Sequence, residues 1–438
     1  MAFMIPAFIV PFIIYSDLSF IDSTMAQKKV LVLLMFEVKE DPRVWKTCVS
    51  LRNRGAEVTV ACTNPSMRPE RETCEGITIV RFPQPQEFFL KRLYHLAHRF
   101  LPDNPKAFSH AASLTGERKD SFLKECVLRW NHNYFMRSIK KINLAFIQAF
   151  SGEKFDLIHA NDIDTLYAGS ELRRMGSASS LLYDSHEYWA GMSRPGSRSN
   201  ISLQKFEGES IRHADYVVTV NPFIAERLRE TYGLANTPSV VMNCPLLYHG
   251  ELSRSVSDTP VRVIFQGKLQ AYRGLEELIL AFRNLSDAVL TISGYGPFEK
   301  KLKLLAEQDG LKNRVFFTGR YSQEETMRIL VSHDIGVIPY QDVVMNNVYS
   351  SPNKLFNYAM AGMAIVTSEM PFLASTVREH GMGEVFSGSS PEDIALVLKS
   401  FVSNPVLLET CKENARRAAV EFFSWEKQFE TNYPWKEV

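Results

Sequence analysis

Three stretches in the second half of the chain carry side chains suited to binding an anion. "FQGKLQAYRG" sets Gly267, Lys268 and Arg273 just beyond an apolar run. Glycine lets a ligand approach the backbone closely, and two cations five residues apart at a strand's carboxyl end can clamp a diphosphate. "SGYGP" places Gly294 in a second turn after the next apolar run. "SSPNKLFNYAMAG" (350–362) reads as a helix start, with Ser351 suited to the N-cap and Pro352 to the first helical position. Lys354 then falls in the first turn, where the helix dipole disfavours a cation. Either its stem carries the ammonium to solvent, or an anion from outside the chain sits at this helix end. Each stretch alone also fits a solvated turn. Their shared place at successive strand ends of one unit favours a common anion site.

The first half offers different groups. "YDSHE" puts His186 and Glu187 at a strand end, as substrate contacts or as a satisfied interdomain pair. "NDID" holds Asp162 and Asp164, which read either as helix caps or as an acidic metal-binding pair. Metal-ligand spacing of His and Cys is absent, which argues against a zinc site. The segment after the first strand, "MFEVKEDPRVW", has no GxGxxG, and the chain has no P-loop. This argues against a dinucleotide dehydrogenase and against a P-loop enzyme.

The elements that must position these groups follow a repeating pattern. "KVLVLLMF" is a continuous apolar run, as expected of a strand buried on both faces. "DPRVWKTCVSLRNRG" predicts a helix with Asp41 as N-cap, Pro42 at its first position and Gly55 as its stop. Strands at "AEVTVAC", "FDLIHA", "SLLYDSHE" and "DYVVTVN" complete a doubly wound parallel α/β domain. The polar stretch 245–260 reads as a linker. A second α/β series follows, with strands "VRVIFQG", "AVLTISG", "RVFFTG", "DIGVIPY" and "MAIVTS". Two open sheets leave a cleft between them, and ligands bind beyond the carboxyl ends of such strands.

The chain has 438 residues, 45% of them apolar and 23% charged, enough for two or three domains with full cores. Net charge is +1, so nothing global points to nucleic acid. Six scattered cysteines without a CxxC pair fit a reducing compartment, hence a cytoplasmic protein. Residues 1–15 are apolar and carry two prolines, Asp17 and Asp22 follow, and Met25 comes next, so 1–24 read as an upstream extension or a membrane-contacting tail, outside the fold. Residues 84–150 interrupt the first domain with a basic, aromatic-rich and helical insertion. It suits either a helical pair packed on its own domain or contact with the inner face of an anionic membrane.

These stretches together resemble the family 4 glycosyltransferases, from Met25 to the C-terminus apart from 84–150. "EDPRVWKTCVSLRNRGAEVTV", "DLIHANDIDTLYAGSEL", "LLYDSHE", "ADYVVTVNPFIAERLRETYG" and "VVMNCP" look like that family's first domain. "FQGKLQAYRGLEELILAF", "ISGYGPFEKKLK", "VFFTG", "HDIGVIPY" and "SPNKLFNYAMAGMAIV" look like its second. The resemblance implies the GT-B fold: an acceptor-side domain over 25–250, a nucleotide-sugar domain over 251–418, and a helix within 419–438 that returns to the first domain. It implies sugar transfer from a nucleotide diphosphate sugar to a glycan or lipid-linked acceptor, with retention at the anomeric carbon and without a metal. His186, Lys268 and Arg273 would be catalytic. Gly267, Gly294, Tyr349, Ser351, Asn353, Lys354 and Asn357 would bind the donor, and Asp162 and Glu187 would lie on the acceptor side. One departure is clear. The family's two signature glutamates, seven residues apart, correspond here to Tyr349 and Asn357. That leaves two further readings, a catalytically impaired partner protein in polysaccharide assembly and a nucleotide-sugar epimerase.

Overall fold

The computed structural model describes residues 27–64, 69–84, 135–191, 196–252, 260–308, 311–342 and 348–437. Residues 1–26, and residues 85–134 of the basic insertion, lie outside the described residues.

Two parallel sheets form the molecule. The first contains β1 (Lys29–Leu33), β2 (Glu57–Asn64), β3 (Glu70–Cys74), β4 (Ile77–Pro83), β5 (Phe155–Asn161), β6 (Ala178–Ser185), β7 (Tyr216–Thr219) and β8 (Ser239–Val240). Their order is β3-β4-β2-β1-β5-β6-β7-β8. Only β3 and β4 pair antiparallel. The sequence reading passed over this edge hairpin, because "ERETC" is polar and lies mostly in solvent. The second sheet contains β9 (Val261–Gln266), β10 (Ala288–Ser293), β11 (Val315–Gly319), β12 (Ile335–Ile338), β13 (Ala364–Ser368) and β14 (Gly383–Phe386), in the order β11-β10-β9-β12-β13-β14. Each sheet has an apolar cluster on either face, which is why its central strands read as unbroken apolar runs.

Helix Pro42–Asn53 forms as its sequence predicts. The Asp41 carboxylate accepts hydrogen bonds from the Arg43 and Val44 amides at 3.0 and 3.1 Å, satisfying two free N–H groups of the first turn. Gly55 follows its end at φ +86°. Residues 135–150 form a helix whose Ile139, Ile142, Phe146 and Phe150 pack under the first sheet against Leu31 and Leu33. At the C-terminus, helix Pro405–Glu421 packs on the second domain, and helix Trp425–Asn432 crosses to the first. There Trp425, Phe429 and Tyr433 join the cluster of Val30, Val32 and Leu51, and the Trp425 indole donates to Ser50 Oγ at 2.9 Å.

Candidate active site

The carboxyl ends of the two sheets face a cavity of about 950 Å³. From the first domain it is lined by His186 and Glu187, just past β6, and by Lys46 of helix Pro42–Asn53. From the second it is lined by Gly267 and Lys268, just past β9, with Arg273, Ser351, Asn353, Lys354 and Asn357. Nine of the twelve residues singled out in the sequence thus meet around one space.

The three others stand behind or beside it. Gly294 (φ +154°) backs the Gly267 turn: a Cβ there would lie 1.8 Å from the Gly267 carbonyl oxygen. Tyr349 turns to the first domain. Its hydroxyl accepts from Arg227 Nη2 at 2.9 Å, and its carbonyl accepts from Asn221 Nδ2 at 2.7 Å. Its phenol is therefore spent on an interdomain contact instead of lining the cavity. Asp162 lies beneath His186.

Lys354 is the centre of the second-domain wall. It is buried, at 9% exposure, so the solvent-reaching alternative is overturned. Its ammonium lies 3.8 Å from the Phe265 ring centroid and 5.1 Å from that of Tyr340. The Arg273 guanidinium stacks on the other aromatic contact, 4.0 Å from the Tyr340 centroid. With the Gln270 amide turned so that its oxygen faces Arg273, it accepts from Nε at 3.3 Å and Nη2 at 3.2 Å. Burial, and then the charge of Arg273, push the Lys354 amine well below the usual lysine range. Among the described residues no carboxylate compensates it. Gly267 is required beside it, since its φ is +147° and a Cβ would come within 2.9 Å of Lys354 Nζ. Ser351 does not cap the following helix. Pro352 occupies the N-cap of Asn353–Met360, and the buried Ser351 hydroxyl has no hydrogen-bond partner. The Leu355 N–H donates to the Pro352 carbonyl at 3.0 Å, which leaves the Asn353 and Lys354 N–H groups and the Ser351 hydroxyl without a bond within the helix.

On the first-domain wall, His186 sits between two carboxylates. Nδ1 is 3.2 Å from Asp162 Oδ2, and Nε2 is 3.4 Å from Asp184 Oδ2, the latter too poorly aligned for a hydrogen bond. Burial opposes the imidazolium, but Asp162 and Asp184 outweigh it and raise the His186 pKa well above the usual range. Asp184 is itself buried. Burial disfavours its charge, yet Arg43 and His186 hold its carboxyl well below the usual carboxylate range. Arg43 donates to it through Nε at 3.0 Å and Nη2 at 2.8 Å, and through Nη1 to the Val241 carbonyl at 2.7 Å. His159 Nε2 approaches the same carboxylate at 3.5 Å, and its Nδ1 is 2.9 Å from the Tyr433 hydroxyl.

The acidic pair of "NDID" does not cap its helix. Asp162 stands at the N-cap of Ile163–Arg174 without a side-chain cap bond. Asp164 is buried, and burial, then the Asp162 charge, push its carboxyl well above its usual range. Neither lines the cavity. Among the described residues no group of three His, Cys, Asp or Glu is arranged to hold a metal ion.

Sequence reading missed Arg43, Asp184, His159, Tyr340 and Tyr433. Two signals bore on them. Asp184 and Asn161 are register partners of β6 and β5, so "NDID" and "YDSHE" must end side by side. Arg43 directly follows the helix-starting Pro42, and a cation in a helix's first turn is out of place there as Lys354 is in its own helix.

Two facing α/β domains with a cation-lined cleft at their strand ends define the GT-B architecture. Residues 41–244 match the glycosyl transferase 4-like domain, and residues 253–418 match glycosyl transferases group 1. The chain belongs to the GT-B glycosyltransferases of the family 4 type. It is 25% identical over 236 residues to an uncharacterized glycosyltransferase of Methanocaldococcus jannaschii, a match spanning 49% of this chain and 56% of that relative. In fold it is similar to sucrose-phosphate synthase from Thermosynechococcus elongatus (TM-score 0.69, 15% identity, 94% of this chain and 99% of the other). It is also similar to HepE of Anabaena in complex with UDP (TM-score 0.60, 14% identity, 92% and 97%).

Proposed function

We propose that the chain transfers a sugar from a nucleotide diphosphate sugar to a glycan or lipid-linked acceptor, with retention of anomeric configuration. The observation that carries this is Lys354: a desolvated ammonium beside Arg273 and Gly267, without a carboxylate among the described residues to balance it. A diphosphate supplies the missing charge. Lys268, Arg273, Lys354 and the free N–H groups at Asn353 would neutralise the leaving diphosphate as its bond to the anomeric carbon breaks. The fold-level likeness to a UDP complex agrees with a nucleotide in this cleft. The charge-neutralising role falls to side chains, and this mechanism calls for no metal.

Retention rests on a front-face route, which the residues of the cleft are able to support. In a front-face route the acceptor hydroxyl approaches on the side of the leaving group. Its oxygen bonds to the anomeric carbon as the bond to the diphosphate oxygen breaks, and the diphosphate takes the hydroxyl proton. No carboxylate nucleophile is needed, unlike a double displacement, so the absence of acids at Tyr349 and Asn357 does not forbid it. Asn357 still offers an uncharged amide to ribose hydroxyls. The five described cysteines are all free, which supports a reducing, cytoplasmic setting. Among the described residues no single helix is long and apolar enough to cross a membrane. Contact of the insertion with a membrane face remains part of the proposal.

One observation favours a second reading. Tyr349 is engaged with Arg227, which leaves the donor-sugar side of the cleft short of one polar group and suits a transferase-like partner protein that binds without turning over. Incubation with UDP-, GDP- and ADP-sugars, with released nucleotide diphosphate followed and the product anomer read by proton NMR, separates the two. Release with net retention supports transfer. Binding with no release under any donor and acceptor supports the partner protein.

A further inference from the structure

Asp162 has a backbone conformation that almost only glycine adopts, at φ +58° and ψ 170°. Such a strained conformation persists where the surroundings demand it. Here the demand is visible. Asp162 Oδ1 accepts from the His186 backbone N–H and from the Trp189 indole, each at 3.0 Å, and Oδ2 faces His186 Nδ1 at 3.2 Å. One side chain therefore fixes the backbone at His186, the indole three residues on, and the imidazole ring. None of these contacts caps the helix that Asp162 begins, and Asp162 does not line the cavity.

We propose that Asp162 is a positioning residue, which acts on the ligand through His186 by fixing that ring and its charge at the cavity wall. This differs from an acceptor-side contact, and it rests on the cleft binding a nucleotide sugar. The groups around the ring agree. Asp184 faces Nε2, Arg43 and His159 face Asp184, and Asp164 lies buried in the same helix turn as Asp162. Arg43 is bidentate on Asp184, and Asp162 is the carboxylate on the ring that no other cation among the described residues shares. Nε2 is buried 3.4 Å from Asp184 Oδ2 without a hydrogen bond, so the bond that sets the ring is the one on the Asp162 side.

The test uses the full chain and the Asp162→Asn variant, which keeps an acceptor oxygen for the His186 and Trp189 N–H groups and removes the charge. His186 is followed by ¹⁵N imidazole NMR, assigned with His186→Gln. Calorimetry then compares the nucleotide diphosphate that binds with its glucose conjugate. The expected result is a fall in the His186 pKa of at least about one unit, the size of one lost charged contact. Affinity for the glucose conjugate should fall about tenfold while affinity for the bare nucleotide stays the same. An unchanged His186 titration, or equal loss for both ligands, would overturn the proposal. If Asp162→Asn folds poorly, Asp162→Gly, which suits the backbone angles, carries the same comparison. Should no nucleotide bind the wild type, the donor-site reading fails, and the NMR titration alone still decides whether Asp162 sets His186.

Discussion

A buried ammonium beside a guanidinium raises the free energy of the empty protein, and Lys354 shows what that implies. The folded chain holds fewer protons at Lys354 than the unfolded chain does, because its pKa is lowered. Stability should therefore rise with pH towards the ordinary lysine range, and Lys354→Met should flatten that rise in urea titrations at several pH values. The same variant should melt no lower than wild type at neutral pH, because an uncompensated buried charge is removed. Its affinity for a nucleotide diphosphate should nevertheless drop at least about tenfold, as for a lost charge-assisted contact. Function and stability thus move in opposite directions at one residue. A diphosphate also favours the charged amine, so binding should take up a proton at pH values between the lowered amine pKa and the ordinary lysine range, seen as heats that change with the buffer's ionisation enthalpy.

At the scale of elements, the two turns past β9 and β10 act as one device. Gly267 gives way to Lys354, and Gly294 gives way to Gly267. Gly267→Ala should abolish nucleotide binding while the sheet still folds. Gly294→Ala collides with backbone and should lower the melting temperature as well. Across the cleft, Arg43 ties helix Pro42–Asn53 to β6 through Asp184. Arg43→Met strands a buried carboxylate and should cost about 3–5 kcal/mol in chemical denaturation. Much of this was legible from residue types. Gly267, Lys268 and Arg273 stand where their spacing placed them, and Asp41 caps its helix. Ser351 and Asp162 were misjudged because capping is a local rule, whereas Ser351 lines the cleft and the Asp162 carboxylate is taken by the His186 and Trp189 N–H groups. Asp184 stayed hidden because its partner Arg43 lies 141 residues away.

At the scale of the molecule, the two domains are joined by more than the linker. Helix Trp425–Asn432 leaves the second domain and closes the core of the first, where the Trp425 backbone N–H also donates to the Pro245 carbonyl at 2.8 Å. Trp425→Ala opens a large cavity there and should cost about 3–5 kcal/mol, read as an early unfolding transition of the first domain. Tyr349 and Arg227 form a second tie, close to the cavity. The sequence pattern showed two sheets, since apolar runs and turns repeat twice, and the family resemblance implied the returning helix. It could not show that a tyrosine in the place of a signature glutamate would turn to the other domain, because that depends on which partner lies within reach after folding.

The measurement to make first is calorimetric titration with UDP, GDP, ADP and CMP, run on wild type beside Lys268→Ala/Arg273→Ala and Lys354→Met. The expected result is that one nucleotide binds the wild type, and that both variants lose at least about tenfold in affinity, the scale of a charge-assisted phosphate contact. Binding that survives in both variants unchanged, or no binding by any of the four, would contradict a donor site built on these cations.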